Sequence, residues 1–491
     1  MQGIGLPILI IVTFVGISTS TPLDDYVHHD DGYFNVEIVT NWTRKDAAHT
    51  SYLLNMTSQK WLTEKNVSRS VWWHYLIVNI PHYFDPEMHG SGYMKIVGGN
   101  NNNPDAVPDE TDDDIMLSGM MAERTGSVTA ILKQVPNQYI VFASDPKQAK
   151  RDEDAIIAFT WRHFIDDPSQ PEWLLRLPMT KAAVKAMDAI NAFVLDVAKR
   201  PVDKFCVGGE SKRGWTTWTT AAVDYKRVKC ITPIVMDELN LVKNLHHHYR
   251  AYGGWTFEFN DYYEEFVTRD LDNPNTQLMA DIVDPLSYKD RLTMPKLIIS
   301  TGSDEFFLPD DSYYYLDQLT GPTYLSMLPN TDHSCDGKEV DILHNVESFY
   351  VSSMKGYPLP QVTWKLTSNS TYGSIQVTSP TKPSLVRAFY AVTESSTRRD
   401  FRRYKLNETD PMSGPVLQKI LWVFDGVTKH SDTEFSAAYS APAKGWLAFF
   451  IEMSYPVSGG SVMVVTTETN MVPHDLPFPD CSGEDCMGTL V

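Results

Sequence analysis

The chain has 491 residues, of which 42% are hydrophobic, and a formal net charge of −20 at pH 7. This length is too great for one ordinary core, so we expect two domains, and the apolar content is sufficient for both. The acidic balance argues against nucleic acid or an anionic membrane as a partner, because both are bound through basic patches.

The first 20 residues, MQGIGLPILIIVTFVGISTS, form an apolar run that ends in small residues. This pattern predicts a secretory signal peptide, and the run is shorter than the ~20 apolar residues of a membrane anchor. No later stretch reaches spanning length, so we expect a secreted protein without membrane insertion. Asn-x-Ser/Thr sequons behind this segment indicate a glycoprotein with these positions in surface loops: Asn41, Asn55, Asn66, Asn369 and Asn407.

From about residue 70 to 350, short apolar runs alternate with longer helical stretches, which predicts a mostly parallel sheet covered by helices in a domain over 21–355. In the stretch 179–199, apolar residues recur at three- and four-residue spacing, as in a helix with one buried face. The predicted strands are 72–80, 93–97, 127–134, 204–208, 230–236, 295–301 and 323–328. The predicted helices include 152–164, 179–199 and 312–319.

An aromatic segment, about 238–292, interrupts this alternation and is too long for a plain loop. We expect it to form helices over the upper edge of the sheet, as a packed subdomain, a substrate lid or both. Three consecutive histidines, 246–248, lie in it; adjacent side chains diverge, which favours a polar lid surface over a metal site. The acidic run 109–114 lacks the spacing of a calcium loop and is interpreted as a solvated loop.

Beyond residue 355 the pattern changes to short alternating runs, which predicts an all-β sandwich over 356–480, entered through the linker 356–360 and followed by a tail, 481–491. Its predicted strands are 362–366, 372–377, 385–392, 420–424, 446–453 and 461–467. We expect Cys481 and Cys486 to pair locally. Cys206 and Cys230 either form a bridge between neighbouring strands or remain as two core thiols, which leaves Cys335 as the odd cysteine.

The candidate nucleophile is Ser211, where the strand KFCVGG turns into a helix-compatible stretch. A nucleophile elbow requires a strand, a sharp turn and a helix, because the turn lifts a strained serine above the sheet. Gly209, two residues before the serine, satisfies the need for a small residue. The position two after it holds Arg213 where a glycine is usual, and Gly214 comes one place later.

An acid and a base follow in the order expected of an α/β-hydrolase. Asp304 comes just after the strand 295–301, and His333 comes just after the strand 323–328. The sequence therefore predicts a catalytic set of Ser211, Asp304 and His333. Asp237, after the strand 230–236, is an alternative acid that we rank second.

An oxyanion of the reaction would need two hydrogen-bond donors. We assign one to the backbone N–H of Lys212 and the other to the Gly-rich loop after the strand 93–97, at Gly99 or Asn100. Arg213, with Lys212, marks a substrate-binding position suited to an anionic group; a buried ion pair with Glu210 or Asp237 would explain the two cations equally well. No metal or cofactor is expected.

Four segments carry a resemblance to a known family: GGESKRGWTTWTTAAVD, LPMTKAAVKAMDA, QVPNQY and PAKGWLAFFIEMSYP. They resemble the PhoPQ-activated pathogenicity-related protein family, which includes the autocrine proliferation repressors. The resemblance implies an α/β-hydrolase fold and suggests that Arg213 is this family's own version of the elbow.

Two functions remain open. One is a secreted serine hydrolase that acts on a peptide or ester substrate. The other is a secreted signalling glycoprotein that uses a hydrolase scaffold to bind a partner such as a cell-surface receptor.

Overall fold

The computed structural model describes residues 20–109, 111–407, 409–410, 413–458 and 461–491. The predicted signal peptide, apart from its last residue, lies outside these ranges. Within them, no helix combines the length and apolar character needed to cross a membrane. The α-helices are α1 (Pro22–His28), α2 (Asp113–Thr125), α3 (Glu153–Asp166), α4 (Arg176–Ala198), α5 (Lys212–Val223), α6 (Leu241–Tyr252), α7 (Asn260–Glu264), α8 (Pro274–Val283) and α9 (Glu339–Lys355).

The strands divide into a group before α9 and a group after it. The first group is β1 (Asn35–Ile38), β2 (Arg44–Lys45), β3 (His49–Lys60), β4 (Val71–Pro81), β5 (Ser91–Ile96), β6 (Val128–Leu132), β7 (Lys204–Glu210), β8 (Val228–Ile234), β9 (Lys296–Thr301) and β10 (Thr323–Leu328). The second group is β11 (Thr363–Ser368), β12 (Tyr372–Thr378), β13 (Leu385–Val392), β14 (Tyr404–Leu406), β15 (Pro415–Leu417), β16 (Val423–Asp425), β17 (Thr428–Lys429), β18 (Glu434–Ser440), β19 (Leu447–Pro456), β20 (Val462–Thr466) and β21 (Asn470–Val472).

The largest sheet has the order β1-β3-β4-β6-β5-β7-β8-β9-β10-β20-β19-β13-β16. Strands β6, β5, β7, β8, β9 and β10 pair in parallel, while β3, β4 and β6 pair antiparallel. Successive residues of β7 contact different cores: Val207 packs with the core that includes α3, α4 and α5, and Cys206 packs with residues of α2 and α9. The central strands are therefore buried on both faces, as parallel sheets require.

The fold class is confirmed: an α/β-hydrolase sheet with a helical insertion is followed by a β-rich region. The latter contains a second sheet, β11-β12-β18-β17, whose Ile375 and Phe435 pack against Phe449 and Ile451 of β19. One layer of this sandwich is an extension of the main sheet, because β20 pairs with β10 at Leu325 and Thr466. The domain boundaries and the limits of the lid stay predictions.

Two local predictions are wrong. The stretch 312–319 forms two short 3-10 turns, Asp311–Tyr314 and Leu316–Gln318, in place of an α-helix. The acidic run 109–114 does not remain a loop to its end: Asp112 accepts a hydrogen bond from the N–H of Ile115, and α2 begins at Asp113. An aspartate in this position satisfies one of the unpaired N–H groups of the first turn.

The cysteines form two disulfides, Cys206–Cys230 between β7 and β8 and Cys481–Cys486 in the C-terminal segment. Cys335 is free and buried. The C-terminal segment packs on the helical insertion, since the N–H of Trp255 donates to Thr489 O at 2.9 Å and the N–H of Val491 donates to Trp255 O at 2.8 Å.

Candidate active site

Ser211 lies at the sharp turn between β7 and α5. Its backbone has φ 55° and ψ −126°, a left-handed φ that side-chain-bearing residues rarely adopt. Its N–H donates to Ile234 O of the neighbouring strand at 2.9 Å. Strand, strained turn and helix together form a nucleophile elbow.

Glycines around the turn explain how the elbow accommodates Arg213. A Cβ at Gly209 would lie 2.8 Å from the carbonyl carbon of Arg213, and a Cβ at Gly98 would lie 2.7 Å from its Nη2. A Cβ at Gly214 would lie 2.9 Å from the Cβ of Met236. Close packing therefore falls on the third position after the serine, and the arginine side chain extends over a glycine of another loop.

His333 contacts both Ser211 and Asp304. Its Nε2 lies 2.9 Å from Ser211 Oγ, and its Nδ1 lies 2.9 Å from both carboxylate oxygens of Asp304. Asp304 also accepts hydrogen bonds from the N–H groups of Phe306 at 2.7 Å and Phe307 at 3.1 Å. These bonds fix the carboxylate after β9, so the three predicted side chains lie in one hydrogen-bonded line.

Asp237, the alternative acid, has other partners. It accepts hydrogen bonds from the hydroxyls of Tyr315 and Ser300. Burial raises its pKa well above the usual range. Of the two acids, Asp304 is the one in contact with His333.

Opposing effects set the protonation of His333. Burial lowers the pKa of this imidazole, but the adjacent Asp304 carboxylate raises it by more, so the pKa lies above its ordinary value. Glu305, the next residue, accepts a hydrogen bond from the backbone N–H of His333 at 3.1 Å, and burial raises its pKa to about 7. The centroids of the Phe306 ring and the His333 imidazole are 4.5 Å apart, so the phenyl ring packs against the imidazole.

The two cations after Ser211 are held by carboxylates of α3. Lys212 Nζ lies 2.9 Å from both Glu153 and Asp154, and Arg213 Nη2 lies 2.5 Å from Glu153. Burial would raise the pKa of Glu153, but Arg213 and Lys212 lower it to about 2. The suggested partners Glu210 and Asp237 are wrong: Glu210 pairs with Lys95 instead, at 2.8 Å.

The loop that carries the second predicted oxyanion donor adjoins the elbow. Gly99 has φ +128°, its carbonyl accepts a hydrogen bond from Gln138 Nε2 at 2.8 Å, and the carbonyl of Asn100 accepts one from Gln134 Nε2 at 3.3 Å. No residue in the described part of the chain accepts a hydrogen bond from the backbone N–H of Lys212, Gly99 or Asn100.

A narrow cavity of about 40 Å³ opens at Ser211. Most of its wall is aromatic or aliphatic: Ile157, Trp161, Trp215, Met236, Leu241, Leu245, Trp255, Phe259, Tyr262, Val267, Leu271, Phe306 and Phe307. Lys212 and two carboxyl groups, Asp154 and Glu238, also line it. Asp154 is paired with Lys212, whereas burial raises the pKa of Glu238 well above the usual range.

Sequence comparison identifies the relatives of this chain. The family model described as PhoPQ-activated pathogenicity-related protein matches residues 23–402. Autocrine proliferation repressor protein A of Dictyostelium discoideum is 37% identical over 495 residues, which cover 98% of this chain and 97% of that protein. This chain belongs to the PhoPQ-activated pathogenicity-related family.

Solved structures similar to this family member include esterases and a hydrolase. Acetyl xylan esterase from Paenibacillus sp. R4 has a TM-score of 0.43 and 13% identity, and covers 63% of this chain and 86% of its own. S-formylglutathione hydrolase from Agrobacterium tumefaciens has a TM-score of 0.39 and 12% identity, and covers 65% and 99%. We assign the α/β-hydrolase fold of this family member from its own strand order and nucleophile elbow, and not from these similarities.

Other predicted positions lie away from this site. The expectation of a polar lid surface is wrong for His247 and His248 of α6, which are 3% and 1% exposed, while His246 contacts Asp272 and Asp480. Among the sequons, Asn41 and Asn369 are exposed, but Asn55 lies half-buried within β3 and not in a loop. Glycosylation at Asn41, Asn55, Asn66, Asn369 and Asn407 stays a prediction.

Glu153 and Asp154 of α3 are the site residues that sequence reasoning missed. They come after the long connection 133–152 and begin a helix, which is a common place for acidic residues, so nothing local distinguished them. An available signal was the pair of cations at Lys212 and Arg213, which required carboxylate partners if they were buried.

Proposed function

We propose that this protein is a secreted serine hydrolase that transfers the acyl group of a peptide or ester to water. The observation that carries the proposal is the line of contacts from Ser211 Oγ through His333 to Asp304, at 2.9 Å on each side of the imidazole. The strained backbone of Ser211 supports it, because this strain directs the hydroxyl above the sheet.

The reaction has two halves. Ser211 Oγ attacks the carbonyl carbon while His333 Nε2 takes its proton, and His333 then gives that proton to the departing amine or alcohol. Water next attacks the acyl-serine, again losing its proton to His333, and the acid is released as the serine is restored. Asp304 orients the imidazole and stabilises its charged form in both halves.

The oxyanion of each tetrahedral intermediate would be held by the backbone N–H of Lys212 and by that of Gly99 or Asn100. All three are free of hydrogen-bond acceptors within the described ranges. Loss of one such donor costs about 3 kcal/mol of transition-state stabilisation in hydrolases. Arg213 acts indirectly in this proposal, because its guanidinium is engaged by Glu153 and by the Val135 carbonyl.

The walls of the cavity favour an apolar acyl group of small size. Aromatic and aliphatic side chains surround Ser211, and a volume of about 40 Å³ leaves little room beyond a few non-hydrogen atoms. A longer chain would need the insertion, which carries Leu245 on α6 and Trp255 just after that helix, to move outward.

Labelling by a fluorophosphonate reagent tests this proposal on the purified secreted protein. We expect labelling of the parent protein and of Ser334→Ala, an exposed serine in the His333 loop, but not of Ser211→Ala. Hydrolysis of p-nitrophenyl esters and peptide p-nitroanilides should follow the same pattern. Absence of labelling in well-folded parent protein would overturn the enzyme assignment.

A second candidate is a secreted signalling glycoprotein that acts on a cell-surface receptor. The name of the Dictyostelium relative, autocrine proliferation repressor protein A, favours it. The two functions are separated by adding purified Ser211→Ala to growing cells: a ligand keeps its effect on proliferation without catalysis, whereas an effect that depends on hydrolysis disappears.

A further inference from the structure

The backbone of His333, the base of the proposed reaction, is held by a single hydrogen bond. This histidine lies in the loop 329–338 between β10 and α9. The strand side of the loop is bonded at Thr331, whose carbonyl accepts a hydrogen bond from the N–H of Ser303 at 3.1 Å. His333 itself makes one backbone hydrogen bond within the described ranges, from its N–H to Glu305 Oε2 at 3.1 Å. The position of its backbone therefore depends on this carboxyl group.

Glu305 joins the loop of His333 to the β-rich region. Its other carboxyl oxygen, Oε1, accepts a hydrogen bond from the N–H of Tyr404, the first residue of β14, at 3.2 Å. The side chain is 5% exposed, and the backbone carbonyl of Glu305 accepts a hydrogen bond from the hydroxyl of Thr256 at 2.6 Å. An ionised carboxylate only accepts hydrogen bonds, so both oxygens suit the N–H groups that they face. One buried side chain thus bridges two distant parts of the chain.

The β-rich region also holds the loop that carries Asp304. The indole N–H of Trp422 donates to Gly302 O at 3.0 Å and to Ser303 Oγ at 3.2 Å. The backbone N–H of Arg403 donates to Ser303 O at 2.9 Å. The two residues before Asp304 are therefore bonded to the β-rich region from outside the hydrolase sheet.

The loop of His333 has a second attachment to the same region. Asn330 Nδ2 donates to Trp422 O at 2.8 Å, and Asn330 Oδ1 accepts a hydrogen bond from the N–H of Trp422 at 2.7 Å. In the same loop, Asp332 lies 3.5 Å from Arg403 Nη1. The loops of the acid and of the base are thus both attached to residues 403–404 and 422 of the β-rich region.

We propose that Glu305 is a positioning residue of the hydrolase reaction, which sets the place of His333 relative to Ser211 by tying its backbone to the β-rich region. This inference rests on the proposed function. The carboxyl group of Glu305 bonds backbone N–H groups, whereas the ring nitrogens of His333 are bonded to Asp304 and Ser211. The β-rich region is on this view part of the catalytic unit and not an attached module.

Glu305→Ala and Glu305→Gln in the full chain at pH 8 test this role, because burial raises the pKa of Glu305 to about 7 and the carboxylate is ionised above it. Fluorophosphonate labelling taken to completion counts the active sites, and p-nitrophenyl ester hydrolysis gives KM and kcat per labelled site. Glu305→Ala should lower kcat about 10²-fold, the effect of a displacement of ~1 Å, with KM unchanged. Glu305→Gln should lower it about tenfold, since an amide oxygen accepts from only one of the two N–H groups.

Matched controls come from residues away from these loops. Glu347 of α9 is also 5% exposed and pairs with Arg124 at 2.6 Å, so Glu347→Gln should keep the parent's kcat per site. Trp422→Phe, which loses the bonds to Gly302 and Ser303, should lower kcat by a smaller factor than Glu305→Ala. Trp446→Phe, whose indole donates to Asp475 O at 3.1 Å, should not lower it.

Three outcomes would overturn the role of Glu305 while the parent protein is labelled and active. One is a Glu305→Ala protein that melts lower but keeps its kcat per labelled site, which would make the contact structural only. Another is an equal loss in Glu305→Gln and Glu305→Ala, which would assign the effect to charge and not to position. The third is a raised KM with kcat unchanged, as for a substrate contact. A well-folded parent that takes no label would instead overturn the hydrolase function, and this role with it.

Discussion

Two aspartates that come after β9, Asp304 and Asp310, each contact a histidine. Each of these histidines also contacts a hydroxyl group. In the first, Asp304 contacts His333, whose other nitrogen lies 2.9 Å from Ser211 Oγ. In the second, Asp310 contacts His247 at 3.1 Å, and the other nitrogen lies 3.0 Å from the hydroxyl of Tyr314. The order of groups is the same, but Asp304 contacts Nδ1 of its histidine whereas Asp310 contacts Nε2, and Arg399 Nη2 lies 2.9 Å from that same Nε2.

The surrounding charge also distinguishes them. Burial lowers the pKa of His247 below its ordinary value and Arg399 pairs with the Asp310 carboxylate that opposes this effect, whereas Asp304 raises the pKa of His333. Burial also raises the pKa of Tyr314 to about 12, so its hydroxyl stays protonated near pH 7. The first set therefore combines a carboxylate that pairs with no cation and a hydroxyl at a strained turn, which are the features that nucleophilic catalysis requires.

The largest expected effect comes from removing the acid of the first contact. Asp304→Asn should lower kcat about 10⁴-fold, because the imidazolium loses its stabilising charge and the imidazole its fixed tautomer. A base acts in its neutral form, so activity falls as the pH drops through the pKa of His333, and without Asp304 this limb should move to lower pH. Stopped-flow or steady-state pH profiles on an activated ester check both.

Asp310→Asn and Asp237→Asn are the controls for this experiment. Both acids are buried, yet neither contacts His333, so residual folded enzyme should keep its kcat. A severe loss in Asp237→Asn alone would instead make Asp237 the functional acid.

Changes at the Asp310–His247 contact should alter the free energy of unfolding and not kcat. Asp310→Asn leaves the guanidinium of Arg399 buried without its counter-ion, which costs about 3–5 kcal/mol in the free energy of unfolding. The double variant Asp310→Asn/Arg399→Met should cost clearly less than the two single changes together, because no buried charge remains. Urea denaturation measures this; additive losses would mean that the two side chains do not form an energetically coupled pair.

The contact between Asp304 and His333 could be predicted from the sequence, but the contact between Asp310 and His247 could not. Ser211, Asp304 and His333 each follow a strand with a clear apolar pattern, and chain order alone placed them at one edge of the sheet. His247 lies within α6 and Asp310 lies in a loop, so neither residue directly follows a predicted strand. Their partner Arg399 comes from the β-rich region, so only the tertiary fold could bring the three together.

Long-range packing explains the other differences. The extension of the main sheet into the β-rich region depends on the pairing of Leu325 with Thr466, and the C-terminal segment lies on the insertion through Trp255. Neither contact has a local signature, because each joins residues far apart in the chain. Local patterns therefore predicted many of the strands, although not β3 or β18, and they did not predict which strands became neighbours.

Glu238 provides a third environment, a buried carboxyl group with neither histidine nor cation, and the smallest expected effect. Burial raises its pKa well above the usual range, so the folded protein keeps it protonated where the unfolded chain, with a pKa near 4.3, has lost the proton. This difference lowers the free energy of unfolding as the pH rises from that value towards the folded pKa.

Glu238→Gln removes this pH-dependent loss, so the variant should melt a few degrees above the parent protein at pH 8 and at the same temperature near pH 4. Glu434→Gln, on the exposed face of β18, should melt with the parent at both values. A difference that does not change with pH would show that a glutamine at this position alters packing, and that the ionisation of Glu238 is not what limits stability there.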